Sequence, residues 1–305
     1  MSKVHYTHCP VCGSEEINPL LTVNDHSVSH EDFVVWQCAN CSLRFTQDVP
    51  DENSVAPYYA SPDYISHTNT SKGLINRLYQ SVRKYTLNQK ANLIIYYIST
   101  QGRILDLGAG IGAFLNTMKE KNWEVVGIEP DEGAKSQAKK LFDLDLANIT
   151  VLDQLPENSF DAITLWHVLE HIHQLHQTIE RLKTLLKPNG KIFIAVPNYQ
   201  SADANAYKLY WAAYDVPRHL YHFTPKAMNI LLQQHGLKII AKKPMWFDSF
   251  YISLLSSKYK NQKTNWIGAG ATGMRSNLRA LFNKDYSSSL IYVIEKINDQ
   301  IVIQK

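Results

Sequence analysis

The sequence predicts an α/β fold: a doubly wound, Rossmann-like sheet of seven strands, the last one antiparallel, preceded by a small cysteine-held module. From residue 100 onward, short apolar runs alternate with segments in which apolar residues recur every three or four positions. This alternation is typical of a parallel sheet with helices on both faces. All four cysteines lie before residue 42, in two Cys-x-x-Cys pairs, and this spacing favours a metal-held module.

Apolar runs define the predicted strands, and periodic segments define the predicted helices. The strands cover 103–107, 124–128, 149–152, 160–165, 191–196, 237–243 and 290–295. The helices cover about 71–98, 112–121, 132–141, 174–186 and 225–235. The helix over 174–186 runs into Lys187-Pro188-Asn189-Gly190, a signal for a helix stop and a turn.

Length and composition suit one large domain with a small one before it. The chain has 305 residues, of which 45% are hydrophobic. We expect a module over 1–46, a linker over 47–70 and a main domain over 71–305, with an aromatic insert at 197–224 and a flexible excursion at 245–288. The chain lacks an apolar run of the roughly 18 residues that span a bilayer and an apolar signal-peptide core at its start. We therefore expect a cytoplasmic protein with no transmembrane segment.

A glycine loop follows the first strand of the main domain. The run Asp106-Leu107-Gly108-Ala109-Gly110-Ile111-Gly112 leads from an apolar strand into a helix. Glycines here permit unusual backbone angles and let a ligand lie against the main chain. The second strand ends in Glu129-Pro130, where an acid is placed to accept the hydroxyls of a ribose. The pattern predicts a nucleotide-like cofactor at this edge of the sheet.

Together, these motifs resemble class I S-adenosylmethionine-dependent methyltransferases. The later run from Phe160 to His171 and the phrase Leu185-Leu186-Lys187-Pro188-Asn189-Gly190 strengthen the resemblance, which covers about residues 100–245. It implies that the methionine part of the cofactor lies near Gly108, Ala109 and Gly110, with Asp106 close by. It also implies that Glu129 and Pro130 hold the ribose, Leu152 and Asp153 flank the adenine, and Trp166 and His167 face the sulfonium.

Two other readings of the loop stay open. An NAD-dependent enzyme could share a glycine-rich loop, but the loop here is not Gly-x-Gly-x-x-Gly, and Asp106 precedes it. A cofactor-binding protein without catalysis is the second alternative, against which the intact loop and acid argue.

The cysteines predict a structural zinc site. Cys9 and Cys12 form one pair, and Cys38 and Cys41 form the other, with 25 residues between the two pairs. Four thiolates brought together give the closed tetrahedral coordination that zinc prefers in structural sites. His5, His8, His26 and His30 are then left as surface residues.

The charge of the first 60 residues helps to choose between a small-molecule acceptor and an RNA acceptor. Residues 1–60 hold two basic and eight acidic residues, a net charge of −6, and a four-thiolate zinc site would add negative charge. Some methyltransferases carry a zinc module for rRNA, but an acidic module would repel a phosphate backbone. We therefore expect a small-molecule or lipid-like acceptor, methylated on oxygen or carbon, with the module as a lid or docking piece. Methylation of rRNA or tRNA is the alternative.

The insert at 197–224 supplies the candidate catalytic residues. Its stretch from Trp211 to Phe223 resembles bacterial methyltransferases similar to the ubiquinone-pathway O-methyltransferases. We expect Arg218 to bind an anionic group of the substrate and His219 or His222 to remove a proton from an attacking hydroxyl. The alternative is that these residues hold the insert together.

Overall fold

The computed structural model describes residues 2–60 and 74–297. The predicted linker residues 61–70 and the predicted first helical turn at 71–73 lie outside these ranges.

A central sheet of six strands organises the main domain. Its strands are β6 (Arg103–Leu107), β7 (Glu124–Ile128), β8 (Phe160–Trp166), β9 (Leu186–Pro197), β11 (Leu237–Pro244) and β12 (Ser289–Lys296). They lie in the order β11-β12-β9-β8-β6-β7. Strands β6 to β9 are parallel to one another, and β12 runs antiparallel to both of its neighbours. The predicted α/β class and the final antiparallel strand are confirmed.

One predicted strand is replaced by a helix, so the sheet has six strands rather than seven. At the predicted place, Ile149–Gln154 forms a 3-10 helix, and only a single bridge joins Ala147 to Ile128 of β7. The Asn148 side chain accepts a hydrogen bond from the Thr150 N–H at 3.4 Å. Such local capping competes with the sheet for backbone groups, and here it ends the sheet after one bridge.

Helices cover both faces of the sheet. They are α1 (Leu74–Tyr97), α2 (Ala113–Lys119), α3 (Glu132–Phe142), α4 (Leu175–Leu185), α5 (Ala202–Tyr207), α6 (Pro225–Gln234), α7 (Asp248–Asn261) and α8 (Trp266–Phe282). On α4, the buried Leu175, Ile179, Leu182 and Leu185 recur at three- and four-residue spacing, which is the pattern of a helix with one apolar face. The helix ends before Lys187 as expected, although β9 begins at once and includes the predicted turn residues.

The cysteine module and the aromatic insert form one sheet. The module supplies β2 (Ile17–Asn24), β3 (Asp32–Cys38) and β4 (Arg44–Thr46), and the insert supplies β10 (Tyr221–His222), in the order β10-β4-β3-β2. Two short strands, β1 (Lys3–Val4) and β5 (Val49–Pro50), pair beside it. One hydrophobic core runs from the module through the insert to the central sheet. The module therefore packs as a cover on the main domain, while the division at residue 46 stays a prediction.

The region 245–288 is helical, in contrast to the flexible excursion expected from its sequence. It contains α7 and α8, and a Cβ on Gly273 of α8 would come within 2.7 Å of the Phe250 ring. The buried positions Ala269, Gly273, Ser276 and Ala280 are all small. Because small residues let two helices pack closely, Gly273, which lies in a stretch whose glycines suggest a loop, serves the interface between α7 and α8.

Within residues 2–60 and 74–297, none of the helices combines the length and the apolar character needed to cross a membrane.

Candidate functional site

The glycine loop lies at the carboxyl end of β6, where β6 neighbours both β7 and β8. Gly108 and Gly110 have φ angles of +74° and +54°, in the left-handed region that favours glycine. A Cβ on Gly110 would meet no heavy atom within 4 Å. The N–H groups of Gly108 and Ala109 donate to the Ile128 carbonyl at 2.8 and 3.0 Å. The loop is thus fastened to β7 and leaves open space above Gly110, as a bound cofactor would require.

Glu129 ties the end of β7 to this loop. One carboxylate oxygen accepts from the Gly110 N–H at 2.7 Å, and the other accepts from the Asp131 N–H at 3.0 Å. Burial raises the pKa of Glu129. Since each oxygen can accept a second hydrogen bond, the carboxylate can still accept from two hydroxyls of a ribose. Pro130, next to it, is exposed.

Asp106 is a buried acid beneath the loop. The Thr164 hydroxyl on β8 donates to its carboxylate at 2.5 Å. Burial raises the pKa of Asp106 to about 7, because a buried carboxylate lacks the stabilisation that water gives its charge. A cationic group bound nearby would favour the ionised form of this carboxylate.

The predicted adenine-flanking residues lie on the 3-10 helix that replaces the third strand. Leu152 is buried, and Asp153 is exposed. Arg181 of α4 donates to the backbone carbonyls of Leu152 and Asp153, at 3.0 Å in each case, and to that of Leu155 at 2.5 Å. This side chain holds the segment against α4, a contact that sequence reasoning missed.

Trp166 and His167 lie together at the carboxyl end of β8. The Trp166 ring packs edge-on against Phe114, and the Lys90 ammonium of α1 lies 4.4 Å from its centroid. The side chains of Trp166 and His167 are only partly buried, so this end of β8 stays accessible.

His167 pairs with two carboxylates. Its Nε2 is 3.0 Å from Asp248 and its Nδ1 is 3.5 Å from Glu170. Burial alone would lower the pKa of His167, but the two acids outweigh it and raise the pKa to about 9. The ring is therefore an imidazolium at neutral pH. Asp248 lies on α7, so the region expected to be a flexible excursion supplies a residue to this site.

Glu170 also belongs to a cluster with two further histidines. The ligating atoms of Glu170, His171 and His219 all lie within 4.8 Å of one another. Glu170 is fully buried, and neither of its oxygens makes a hydrogen bond in the described part of the chain, so its contact with His167 is an ion pair. Burial, together with the neighbouring His219, lowers the pKa of His171 to about 4. In such a cluster the carboxylate can stabilise a protonated imidazole, or all three side chains can be ligands of a divalent cation.

The two histidines predicted to be catalytic differ in their surroundings. His219 Nδ1 lies 2.9 Å from the Ala213 carbonyl, and since a carbonyl only accepts, Nδ1 is the donor; in the neutral ring the lone pair is then on Nε2, which lies 3.9 Å from Asp215. His222 is buried against the module, with Nε2 3.3 Å from the Thr46 hydroxyl. Burial lowers the pKa of His222 well below its usual value. Because β4 of the module covers this ring, the geometry favours a packing role for His222, and the proton transfer expected from the sequence stays a prediction.

Arg218 is held by protein groups, and its expected contact with the substrate stays a prediction. Its Nη2 lies 2.8 Å from Asp25 of the module and 2.6 Å from Asp215. Nε donates to Asp215 at 3.1 Å, and Nη1 donates to the Tyr58 carbonyl at 2.8 Å. The guanidinium also donates to Ser27, and its side chain is 1% exposed. With its N–H groups used in this way, Arg218 joins the module to the insert.

The four cysteines come together at one end of the module. The Sγ atoms of Cys9 and Cys41 are 3.4 Å apart, and those of Cys12 and Cys38 are 3.6 Å apart. Thiolates around a tetrahedral zinc with bonds of about 2.3 Å would be separated by about 3.8 Å. The Leu43 N–H donates to the Cys41 sulfur at 3.5 Å. The donor set and spacing fit zinc.

Comparison with known proteins identifies the main domain. A family model described as "Methyltransferase domain" matches residues 79–242. The ubiquinone biosynthesis O-methyltransferase of Stutzerimonas stutzeri is 29% identical over 134 residues, covering 41% of this chain and 57% of that protein. The corresponding protein of Histophilus somni is 33% identical over 110 residues, covering 32% and 46%. The chain spans about half the length of these curated relatives.

Solved structures resemble the chain more distantly. A SAM-dependent methyltransferase from Archaeoglobus fulgidus is 19% identical, with 70% of this chain and 94% of that one covered, at a TM-score of 0.47. Phosphoethanolamine N-methyltransferase 2 of Haemonchus contortus is 18% identical, covering 69% and 53%, at a TM-score of 0.48. Since the family model covers more than half of the 305 residues, the chain belongs to the methyltransferase domain family.

Proposed function

We propose that this protein transfers a methyl group from S-adenosylmethionine to a small-molecule or lipid-like acceptor, at an oxygen or a carbon atom. The observation that carries the proposal is the contact between the Glu129 carboxylate and the Gly110 N–H at 2.7 Å. It fixes an acid beside an open glycine loop at the carboxyl edge of a parallel sheet, where α/β proteins bind nucleotide-like ligands.

Most of the predicted cofactor residues then have a defined task. Glu129 accepts the ribose hydroxyls, and the main chain from Gly108 to Gly110 borders the methionine part. Asp106 supplies negative charge near the loop, and Leu152 and Asp153 flank the adenine. S-adenosylmethionine, when bound, supplies an electrophilic methyl group. The protein's contribution is to align the acceptor with that methyl and to exclude water.

The insert and the module form the acceptor side of the site. The insert packs over the carboxyl ends of the strands, and the module covers the insert through β4 and β10. His219 is the candidate base, since its Nε2 keeps a lone pair, and its ring lies 4.6 Å from that of His171. A base is needed only for an acceptor that is neutral at working pH. The zinc site holds the module together and takes no part in the transfer.

The relatives support a small or lipid-like acceptor. Both curated relatives described above are named for ubiquinone biosynthesis. The net charge of −6 over residues 1–60 disfavours an RNA backbone on the module side of the site.

Transfer of radiolabelled methyl tests the proposal. The full chain, incubated with labelled S-adenosylmethionine and a bacterial extract, should place label in the organic-solvent or small-molecule fraction. Glu129→Ala should strongly reduce the labelling at a cofactor concentration below saturation, because it weakens cofactor binding. Glu132→Ala, which removes an exposed acid on α3 three residues away, should leave it unchanged. Label in rRNA or tRNA would overturn the acceptor class, and equal loss in both variants would overturn the role of Glu129.

A further inference from the structure

Helix α8 exposes an apolar stripe that the proposed function does not use. The stripe consists of residues spaced by three or four along one side of the helix. Its large members are Ile267 (87% exposed), Met274 (54%), Leu278 (50%), Leu281 (65%) and Phe282 (92%), with the exposed Ala271 between them. Such spacing places all of these side chains on a single face.

The opposite face of α8 is fixed to the protein. Ala269, Gly273, Ser276 and Ala280 are buried, and the Ser276 hydroxyl bonds to the buried Asp203. The Asn277 side chain donates to the Trp246 carbonyl at 2.8 Å, which sets the half-exposed Trp246 beside α8. The helix is thus held from behind, and its free side is a long apolar surface. Contiguous apolar surface of this kind marks an interaction site.

Basic residues flank the stripe along one edge of α8. They are Arg275 and Arg279, which are both exposed. The exposed Lys260 and Lys263 lie at the end of α7 and in the connection that leads to α8. The sequence contains no aspartate or glutamate between Asp248 and Asp285. An occupant of this surface must therefore combine apolar groups with negative charge.

We propose that the α8 stripe is the surface by which this protein docks on an anionic lipid membrane. A helix lying in the plane of a bilayer buries an apolar face among the acyl chains and sets lysine and arginine among the headgroups. Trp266, the first residue of α8 and next to Ile267, is 65% exposed, and tryptophan favours this interfacial depth. The inference is independent of the proposed function, since docking requires no methyl donor.

Two other occupants fit less well. In a twofold dimer the same surface faces itself, so the basic residues of two copies would be brought together. A nucleic acid offers phosphates to the arginine and lysine side chains but leaves Ile267, Leu278 and Phe282 without apolar partners. A membrane that contains anionic lipids satisfies both the apolar stripe and its basic edge.

Vesicle binding tests the proposal with the full chain. We expect co-sedimentation with vesicles of mixed phosphatidylcholine and phosphatidylglycerol, a shift of tryptophan emission to shorter wavelength, and weaker binding as salt is raised. Ile267→Ser/Leu278→Ser should lower the affinity at least about tenfold, as loss of buried apolar area predicts. Leu20→Ser/Leu141→Ser, which changes two exposed leucines elsewhere, should leave it unchanged.

Three outcomes would overturn the proposal. They are absence of binding to the mixed vesicles, equal losses in the two double variants, and a dimer in solution that only Ile267→Ser/Leu278→Ser disperses. Preserved binding by Glu129→Ala would separate docking from the proposed catalytic site.

Discussion

Replacing Arg218 by alanine should destabilise the protein strongly, because the side chain neutralises buried acids. Asp25, its partner in the module, has a side chain that is 0% exposed, and Arg218 itself is 1% exposed. Removing one member of a buried ion pair leaves an uncompensated charge and costs about 3–5 kcal/mol. An exposed pair contributes only about 0–1 kcal/mol. We therefore expect Arg218→Ala to lower the free energy of unfolding by about 3–5 kcal/mol.

Urea unfolding followed by circular dichroism measures this difference. Lys183→Ala, which removes a pair with the half-exposed Glu180, serves as the control and should cost under about 1 kcal/mol. A double variant, Asp25→Ala/Arg218→Ala, should cost less than the sum of the single changes, because it leaves neither charge unpaired across the module boundary. If Arg218→Ala unfolded like the parent and instead raised KM for the acceptor, the substrate-binding role expected from the sequence would be correct.

Three further predictions concern the metal and the histidines. Metal analysis should find about one zinc per chain, lost in Cys9→Ser/Cys38→Ser; a metal-free native protein would contradict this. The pKa of His167, followed by NMR, should lie near 9 and fall in Asp248→Asn. The stabilisation from this raised pKa is complete below the ordinary histidine value of about 6.5 and is lost as pH rises through about 9; a pKa near 6.5 in the parent would refute it. His219→Gln should lower kcat while leaving stability near that of the parent, whereas His222→Gln should lower stability; the reverse pattern would exchange the two roles.

Most of the α/β core could be predicted from the sequence because its signals are local. Apolar runs such as Ile104–Leu107 and the following glycines report directly on a buried strand and a tight turn. The pairing of Cys9 and Cys12 with Cys38 and Cys41 is likewise encoded in short spacings. The contact between Glu129 and the glycine loop was expected because parallel strands end at the same edge of a sheet.

The surroundings of the insert could not be predicted, because they depend on contacts between distant segments. Arg218 and Asp25 are 193 positions apart, so an arginine in an aromatic insert looked like a substrate contact. Asp248 lay in a stretch whose glycines suggested a loop, although one of them, Gly273, allows α7 and α8 to pack closely. The strand expected at 149–152 failed for a local reason, the capping of a 3-10 helix by Asn148.

Calorimetric titration with S-adenosylhomocysteine tests the central claim most directly. The claim is that the glycine loop and Glu129 bind S-adenosylmethionine rather than another nucleotide. We expect S-adenosylhomocysteine to bind at micromolar concentration or tighter, and Glu129→Ala to weaken binding by about 1.5–3 kcal/mol, the range for a hydrogen bond to a charged group. Tight binding of NAD without binding of S-adenosylhomocysteine would contradict the account.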